Sequence, residues 1–430
     1  MRVYFDISAT TPIDKDVSDY MHDLQKTNFG NPSSIHREGQ ASRAIIEKSR
    51  RQICKALNCT PDEIIFTSSG TEANNMVLNG VLKKNDHFIT SSYEHPAILK
   101  VLPTLSEKGI EYSLIKPNNE GKIEIEDIKK KVKQNTKLVS IMHVNNELGT
   151  INDIKEISDF TNEQSISFHT DAVQSFGKIP INVKDIQVDF LSMSAHKLYG
   201  PKGSGALYKK QGKTIKPLIY GGGQEFNLRG STENIVGIGG FGMAAEISTM
   251  NLEHNKNHIL DLEKYFISLL NKKNISHKIN GSSRVPGVFN ITFPDLDGKN
   301  LVIQLDMYGI GISFGAACAS GTTKTSNMLI DMGLSKQEAL STVRISFGKI
   351  HNHDDIKFVN DLSKETGCEV KVIADHDVDL AIDNQSSYIN SKITVVRDLV
   401  ANCKYYAGCD SFCSILAAKI LPKENLFIKT

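Results

Sequence analysis

The chain has 430 residues, which suggests two or three domains with large buried cores. Lys and Arg total 50 and Asp and Glu total 49, and this near-balance argues against a protein that binds nucleic acid. No apolar run approaches the ~20 residues of a membrane helix, and Asp6 interrupts the N-terminus where a signal peptide would be apolar. Seven Cys spread over a long chain do not resemble a disulfide scaffold, so we expect a cytoplasmic protein with reduced thiols and no membrane contact.

Short apolar segments alternate with helical patterns between about residue 60 and residue 210. This alternation predicts an α/β fold with a largely parallel sheet covered by helices on both faces, and ligands of such sheets bind at the carboxyl ends of the strands. The predicted strands are Glu63–Thr67, His87–Ser91, Tyr112–Ile115, Lys137–His143, Ser167–His169, Phe190–Met193 and Ala206–Tyr208. The predicted helices between them include Glu72–Leu82, Ile123–Lys133 and Asp153–Gln164.

The second half of the chain predicts a long helix, a smaller α+β unit and a separate tail. The helical pattern covers Ile235–Leu270, and strands are predicted at Val288–Phe293 and Thr342–Ser346. The tail predicts strands at Cys368–Ala374 and Asn425–Lys429 and helices at Ile393–Asn402 and Ser411–Ile420. We therefore predict a large domain at residues 15–255, a small domain from residues 1–14 and 256–365, and a βα extension at residues 366–430.

The segment Ser68–Ala73 follows a predicted strand and opens a helix. Gly70 lets a ligand approach the backbone closely, the helix N-terminus favours an anion, and Thr71 adds a hydroxyl donor. The segment is therefore a candidate phosphate site, and an ordinary helix N-cap is the alternative.

Three further segments that follow predicted strands carry candidate ligand residues. Asp171 is able to hold a protonated ring nitrogen, or it serves as a helix cap or ion-pair partner. Lys197 is able to form a Schiff base, or it is a surface lysine before a glycine-rich turn. His95 is able to stack on a flat ring and exchange protons, or it is a hydrogen-bonded polar residue. Gln174 lies three residues after Asp171 and can face the same way, and Ser194 adds a possible phosphate contact beside Lys197.

Together these residue types fit pyridoxal phosphate better than a nucleotide. Pyridoxal phosphate needs one lysine, one acidic partner for its pyridinium nitrogen and a phosphate cradle, and Lys197, Asp171 and the Gly70 turn supply them. The first strand is not followed by the G-x-G-x-x-G of a dinucleotide fold, and the chain has no G-x-x-x-x-G-K-[ST] phosphate loop.

Several motifs in the same order resemble those of the NifS/IscS-like cysteine desulfurases, which are class-V aminotransferases. They are D-x-S-A-T-T-P at Asp6–Pro12, N-P-S-S-x-H at Asn31–His36, T-S-S-G-T-E-A-N-N at Thr67–Asn75, E-H at Glu94–His95, H-V-N-N-E-L-G-T at His143–Thr150, H-T-D-A-V-Q-S at His169–Ser175 and S-A-H-K-L-Y-G-P-K-G-x-G at Ser194–Gly205. The resemblance covers residues 3–360. It implies a homodimeric fold-type-I pyridoxal-phosphate enzyme whose large domain has a mostly parallel seven-stranded sheet sandwiched by helices. Such an enzyme takes sulfur from L-cysteine and leaves L-alanine.

The resemblance also implies a role for each motif residue. Lys197 would be the Schiff-base lysine, Asp171 the partner of the pyridinium, Gln174 the contact of the ring oxygen, and His95 a catalytic residue stacked on the ring. The phosphate would be held by Gly70, Thr71, Ser194 and His196 of one subunit and by Thr232 reaching across from the other. Asn146 would lie near the ring oxygen and the substrate carboxylate, and Arg344 would clamp that carboxylate through its planar guanidinium.

Cys318 lies in the small-residue segment S-F-G-A-A-C-A-S-G. A single Cys is usually buried packing, but these small flanking residues are poor core material. The resemblance makes Cys318 the catalytic residue that accepts sulfur as a persulfide and passes it to an iron–sulfur scaffold or a sulfur-carrier protein. Metal binding by Cys318 would occur only through a cluster shared with that scaffold.

Two alternatives stay open, a selenocysteine lyase and a desulfurase-derived fusion whose tail recruits a specialised partner. Ser69 and Ala316 depart slightly from the family pattern, and the tail departs from it strongly. The tail cysteines Cys403, Cys409 and Cys413, with Cys368 as a fourth ligand, could form a metal or cluster site. Alternatively, Cys409 and Cys413 lie with Phe412 and Leu416 on one apolar helix face and serve core packing.

Overall fold

The computed structural model describes residues 2–294, 296–315 and 327–356 of the chain. Cys318 and all the predicted tail elements lie outside these residues. The strands are β1 (Val3–Tyr4), β2 (Ile64–Thr67), β3 (His87–Ser91), β4 (Glu111–Ile115), β5 (Thr136–Ser140), β6 (Ser167–Asp171), β7 (Phe190–Ser194), β8 (Gly205–Lys209), β9 (Lys278–Asn280), β10 (Val288–Thr292), β11 (Ile310–Gly311) and β12 (Thr342–Ser346). The helices are α1 (Lys15–Thr27), α2 (Arg37–Leu57), α3 (Gly70–Val81), α4 (Pro96–Leu99), α5 (Leu102–Glu107), α6 (Ile125–Lys131), α7 (Ile154–Glu163), α8 (Val183–Ile186), α9 (Gln224–Asn227), α10 (Ile235–Met250), α11 (Leu252–Lys272), α12 (Gly298–Met307), α13 (Asn327–Asp331) and α14 (Lys336–Leu340).

A seven-stranded sheet forms the centre of the larger part of the fold. Its strand order is β2-β8-β7-β6-β5-β3-β4, and β8 runs antiparallel to both of its neighbours while the remaining pairs are parallel. Each of the seven predicted strands is present, so the predicted mostly parallel sheet is confirmed. The predicted strand at Lys137–His143 ends earlier, at Ser140.

Two apolar cores cover the two faces of this sheet. One includes Ile46 and Ile53 of α2 and Ile157 of α7, and the other includes Val77 of α3 and Leu105 of α5. Most strands are buried along their whole length, which explains their continuous apolar sequence. The helices therefore sandwich the sheet, as the sequence predicts.

The predicted helix over Ile235–Leu270 is wrong in one respect, because the chain bends by 70° between α10 and α11. The backbone and side-chain amides of Asn251 both donate to the carbonyl of Ile247, at 3.1 and 2.9 Å, and so end α10. In α10 a Cβ on Gly242 would lie 2.6 Å from Ser49 Cα, so this glycine permits close packing on α2. Within the described residues no single helix is long and apolar enough to cross a membrane, although the bent pair passes that test of length and composition when taken together.

A smaller part of the fold has its own sheets and core. Strands β12, β10 and β9 form an antiparallel sheet in that order, and β1 pairs in parallel with β11. Its core includes Phe5, Leu262, Phe289 and Phe347. The predicted strands at Val288–Phe293 and Thr342–Ser346 are present, whereas the short strands β1, β9 and β11 were not predicted. The predicted domain limits stay a prediction.

A buried ion pair fixes the segment that precedes α10. The guanidinium of Arg50 donates to both carboxylate oxygens of Glu225, at 2.8 and 2.9 Å, and each side chain is at most 3% exposed. The same carboxylate accepts a hydrogen bond from the backbone of Phe66 at 2.7 Å. Glu225, Phe226 and Asn227 all have positive φ, a conformation that costs free energy outside glycine. The ion pair therefore compensates for local backbone strain.

Replacing Glu225 with Ala should destabilise the fold by about 3–5 kcal/mol, because Arg50 would stay buried without a counter-charge. Urea unfolding at pH 7 measures the loss. Asp19→Ala is the matched control, since it breaks a solvent-exposed pair with Lys15 that should contribute far less to stability. Equal losses in the two variants would contradict the importance of the buried pair.

Candidate functional site

A cavity of about 230 Å³ lies where the parallel strands of the large sheet end. Because parallel strands present their carboxyl ends at one edge, residues that follow different strands meet there. Predicted site residues from the whole sequence line this cavity, and they are Gly70, Thr71, His95, Asn146, Asp171, Gln174, Ser194, His196, Lys197 and Arg344. The structure therefore brings these side chains together.

The first turn of α3 forms one wall of the cavity. Ser69 caps the helix, and its hydroxyl accepts a hydrogen bond from the backbone of Glu72 at 3.1 Å. A Cβ on Gly70 would lie 2.6 Å from Val173 Cγ2, and one on Gly205 would lie 2.6 Å from the carbonyl carbon of Ser69. Both glycines are therefore required by close packing, and the free N–H groups of α3 lie at the cavity.

The Asp171 carboxylate ends β6 and is almost completely buried. One oxygen accepts a hydrogen bond from Asn74 Nδ2 at 2.6 Å, and the other accepts one from the backbone of Val173 at 2.9 Å. Within the described part of the chain, no Lys or Arg pairs with this carboxylate. A buried carboxylate held by neutral donors is suited to a cationic ligand nitrogen.

Lys197 ends the short 3-10 turn Ala195–Lys197 that follows β7. Its Nζ donates to the backbone carbonyls of Ser8 and Ala9, both at 2.6 Å. The N-terminal segment thus fixes the position of the amine at the cavity wall.

His196 and His95 both act as hydrogen-bonded imidazoles at the cavity. Nδ1 of His196 lies 3.1 Å from Thr10 Oγ1, and burial, with added repulsion from Lys197, lowers the pKa of His196 to about 4. Nδ1 of His95 accepts a hydrogen bond from the backbone of Ala97 at 3.1 Å, so the neutral His95 ring carries its proton on Nε2.

Glu94 holds the loop that carries His95. Its Oε1 accepts hydrogen bonds from Ser91 Oγ at 2.5 Å and from the backbone of Met142 at 3.0 Å. Burial, together with the nearby charge of Asp171, raises the pKa of Glu94 to about 8. Glu94 does not line the cavity, so it serves to tie the loop after β3 to the segment after β5.

The Arg344 guanidinium reaches the cavity from β12 of the small sheet. It donates to Asp6 Oδ1 at 2.6 Å, to the backbone carbonyl of Asn146 at 2.9 Å and to Ser313 Oγ at 3.3 Å. Its Nε is buried and has no hydrogen-bond partner in the described residues. The plane of the guanidinium is therefore fixed, and two of its five N–H donors, one on Nε and one on Nη1, have no partner among the described residues.

The sequence analysis missed several residues that support the site. Asp6 holds Arg344, Asn74 holds Asp171, and Lys178 donates to Gln174 at 2.8 Å. Asp6 and Asn74 lie inside the quoted motifs, but nothing in their spacing shows which side chain each one contacts. Lys178 follows the H-T-D-A-V-Q-S motif by three residues, and its i+4 spacing from Gln174 was an available signal.

Two predicted site residues, Thr232 and Cys318, are not among the described residues that line the cavity. Thr232 is exposed just before α10, and its predicted contact with a partner subunit stays a prediction. Cys318 lies outside the described residues. The part of the chain that is described holds no cluster of three or more His, Cys, Asp or Glu able to bind a metal ion.

Comparison with known proteins shows similarity along most of the chain. The aminotransferase class-V family matches residues 3–359. A protein named cysteine desulfurase IscS from Dictyoglomus turgidum is 40% identical over 391 residues, which cover 90% of this chain and 99% of that protein. A mitosomal cysteine desulfurase from Encephalitozoon cuniculi is 42% identical, with 83% and 85% covered. The solved structure of a NifS-like protein has a TM-score of 0.79 and 34% identity, with 85% of this chain and all of that chain covered.

His196 should stay neutral far below the usual titration range of histidine. Its pKa of about 4 in the folded protein lies below the ~6.5 of the unfolded chain, so it contributes stability that is present above pH 6.5 and is lost as the pH falls toward 4. NMR of histidine-labelled protein measures the titration, with the signal assigned by its absence in His196→Gln and with urea-unfolded protein as the control. A His196 midpoint above pH 6 in the folded protein would contradict the burial of this ring.

Proposed function

The chain belongs to the class-V aminotransferase family, and we propose that Lys197 binds its cofactor while Cys318 accepts sulfur from L-cysteine. It is a pyridoxal-phosphate-dependent cysteine desulfurase. The observation that carries the assignment of residues is the convergence of Lys197, Asp171 and Arg344 on one cavity. Lys197 would offer an amine to the cofactor, Asp171 a carboxylate to its ring nitrogen, and Arg344 a guanidinium to the carboxylate of an amino-acid substrate.

The cavity residues fit pyridoxal phosphate. The α3 N-terminus with Thr71 would hold the phosphate. Asp171 would hold the ring nitrogen, since its carboxylate lacks a cationic partner among the residues described. The bound cofactor supplies an electron sink for the α-carbon of the substrate. Ser194 and His196 would add phosphate contacts, and the neutral His196 ring does so without bringing a positive charge of its own.

Arg344 and Asn146 would bind the substrate carboxylate. The buried Arg344 Nε and one N–H of its Nη1 lack partners within the described ranges, while Asp6, Asn146 and Ser313 accept from the other donors. A carboxylate at this position would complete the hydrogen bonds of the guanidinium. Lys197 would then take the proton from the substrate α-carbon.

Cys318 would complete the reaction. Its thiolate would attack the sulfur of the substrate, forming a sulfur–sulfur bond while the substrate carbon–sulfur bond breaks. The carbon would take up a proton and leave as the methyl group of L-alanine, and Cys318 would keep the sulfur as a persulfide. An iron–sulfur scaffold or a sulfur-carrier protein would receive that sulfur.

We further propose a cytoplasmic homodimer. Phe29, Ile35 and Tyr220 are exposed at 80%, 91% and 77%, and such exposed apolar side chains are typical of an interface. Thr232 is also exposed, so it is accessible for the proposed contact with the site of the partner subunit. The unpaired thiols of Cys54 and Cys59 are consistent with a reducing compartment.

Wild-type protein loaded with pyridoxal phosphate should convert L-cysteine to alanine and release sulfide in the presence of a reductant. Cys318→Ala should lose both products because no thiol accepts the sulfur, yet it should retain the cofactor. Quantifying alanine and sulfide tests this, with Cys59→Ala as the cysteine control that stays active. Full activity of Cys318→Ala with selenocysteine would instead favour a lyase.

Arg344→Lys should raise KM for L-cysteine by at least about tenfold with a smaller effect on kcat, because lysine cannot reproduce the fixed planar donors. Steady-state alanine formation measures both constants. Arg43→Lys, at an exposed arginine paired with Glu47, is the control and should change neither. An unchanged KM in Arg344→Lys would contradict its role in binding the carboxylate.

A further inference from the structure

The Gln174 amide is held at both ends. Its Nε2 donates to the backbone carbonyl of Ser8 at 2.8 Å, and its Oε1 accepts from Lys178 Nζ at 2.8 Å. A carbonyl only accepts and an ammonium only donates, so these partners determine which end of the amide is oxygen and which is nitrogen. Gln174 lines the cavity, and its NH₂ group has a second hydrogen that is available to an acceptor there.

Packing alone does not explain why position 178 is a lysine. It is only partly accessible to solvent, and within the described residues no Asp or Glu lies within ion-pair distance of its amine. Burial, with added repulsion from the positive charges of Lys197 and Arg344, lowers the pKa of Lys178 to about 7. An amine in such surroundings costs stability compared with an apolar side chain of similar length. Its hydrogen bond to Gln174 is therefore the feature that calls for lysine.

Gln174, the partner of Lys178, shares the backbone carbonyl of Ser8 with the amine of Lys197. Ser8 O accepts from both Gln174 Nε2 at 2.8 Å and Lys197 Nζ at 2.6 Å. Turning the Gln174 amide over would place its oxygen against the Ser8 oxygen and would turn its acceptor toward the cavity. Lys178 opposes this change in its protonated form, because an ammonium has no lone pair to accept a hydrogen bond from the amide nitrogen.

We propose that Lys178 is a positioning residue that keeps the Gln174 amide turned with its N–H donor toward the pyridoxal phosphate in the cavity. This inference rests on the proposed function, in which Gln174 contacts an oxygen of the cofactor ring. That oxygen is an acceptor, so only one orientation of the amide binds it.

A double-mutant cycle tests the inference. The variants are Lys178→Met, Gln174→Ala and the double variant, and Lys256→Met is the control because Lys256 and Lys178 line the same smaller cavity of about 50 Å³. The measurements are the dissociation constant of pyridoxal phosphate from the full chain and the visible absorption maximum of the loaded protein. A hydrogen bond with one charged partner is worth about 1.5–3 kcal/mol, which corresponds to at least about tenfold in affinity.

Lys178→Met should weaken binding about tenfold and shift the absorption maximum, whereas Lys256→Met should change neither. In the Gln174→Ala background, Lys178→Met should add less than about twofold, since its effect passes through Gln174. The thermal midpoint of cofactor-free Lys178→Met should be no lower than that of the wild type, because the variant removes a buried uncompensated amine.

Three results would overturn the inference while leaving the proposed function intact. They are no change in Lys178→Met, an equal loss of affinity in both Gln174 backgrounds, and a loss that accompanies a lower thermal midpoint. Wild-type protein that fails to bind pyridoxal phosphate, or that binds it and forms no alanine from L-cysteine, would overturn the proposed function itself. The two failures are therefore distinguishable.

Discussion

The cavity depends on the N-terminal segment from Asp6 to Thr10, which joins the two parts of the fold. Asp6 pairs with Arg344 of the small sheet, whereas the carbonyls of Ser8 and Ala9 hold Lys197 from the end of the large sheet. One short segment, folded into a turn at residues 7–9, thus sets the separation between the guanidinium and the amine. Because the substrate contacts both groups in the proposed function, the position of this segment would constrain the geometry of the reaction.

The charges at the cavity are arranged at a cost to the stability of the protein without ligands. Asp171 and Lys178 lack ion-pair partners among the residues described, and Arg344 Nε lacks a hydrogen bond there. Buried groups left in this condition are unfavourable for folding, and they are typical of sites that charged ligands complete. The large apolar cores on both faces of the sheet and buried pairs such as Arg50 with Glu225 offset that cost. The residues that favour ligand binding at the cavity edge therefore lower the stability of the ligand-free protein.

Much of the fold could be predicted from the sequence, because the central strands are continuous apolar segments and the residues that follow them meet at one edge. The break at Asn251 could not, since the apolar pattern continues across it and only the capping hydrogen bonds reveal it. Strands of two or three residues, such as β1, carry too little pattern to detect. Long-range side-chain pairs were also invisible: Asp6 and Arg344 are separated by 338 positions, and residue spacing holds no information about that contact.

The described cavity residues account for the binding of an amino acid, but they do not account for reaction at the substrate sulfur. In the proposed function Arg344 binds a carboxylate and Lys197 acts at an α-carbon, and both features are common to amino-acid substrates. None of the described residues that line the cavity is a cysteine. Chemistry on the substrate sulfur therefore depends on a thiol outside this set, and Cys318, flanked by small residues in the sequence, supplies it in our proposal. In this proposal the residues at the sheet edge bind an amino acid and act at its α-carbon, and Cys318 makes the reaction a desulfuration.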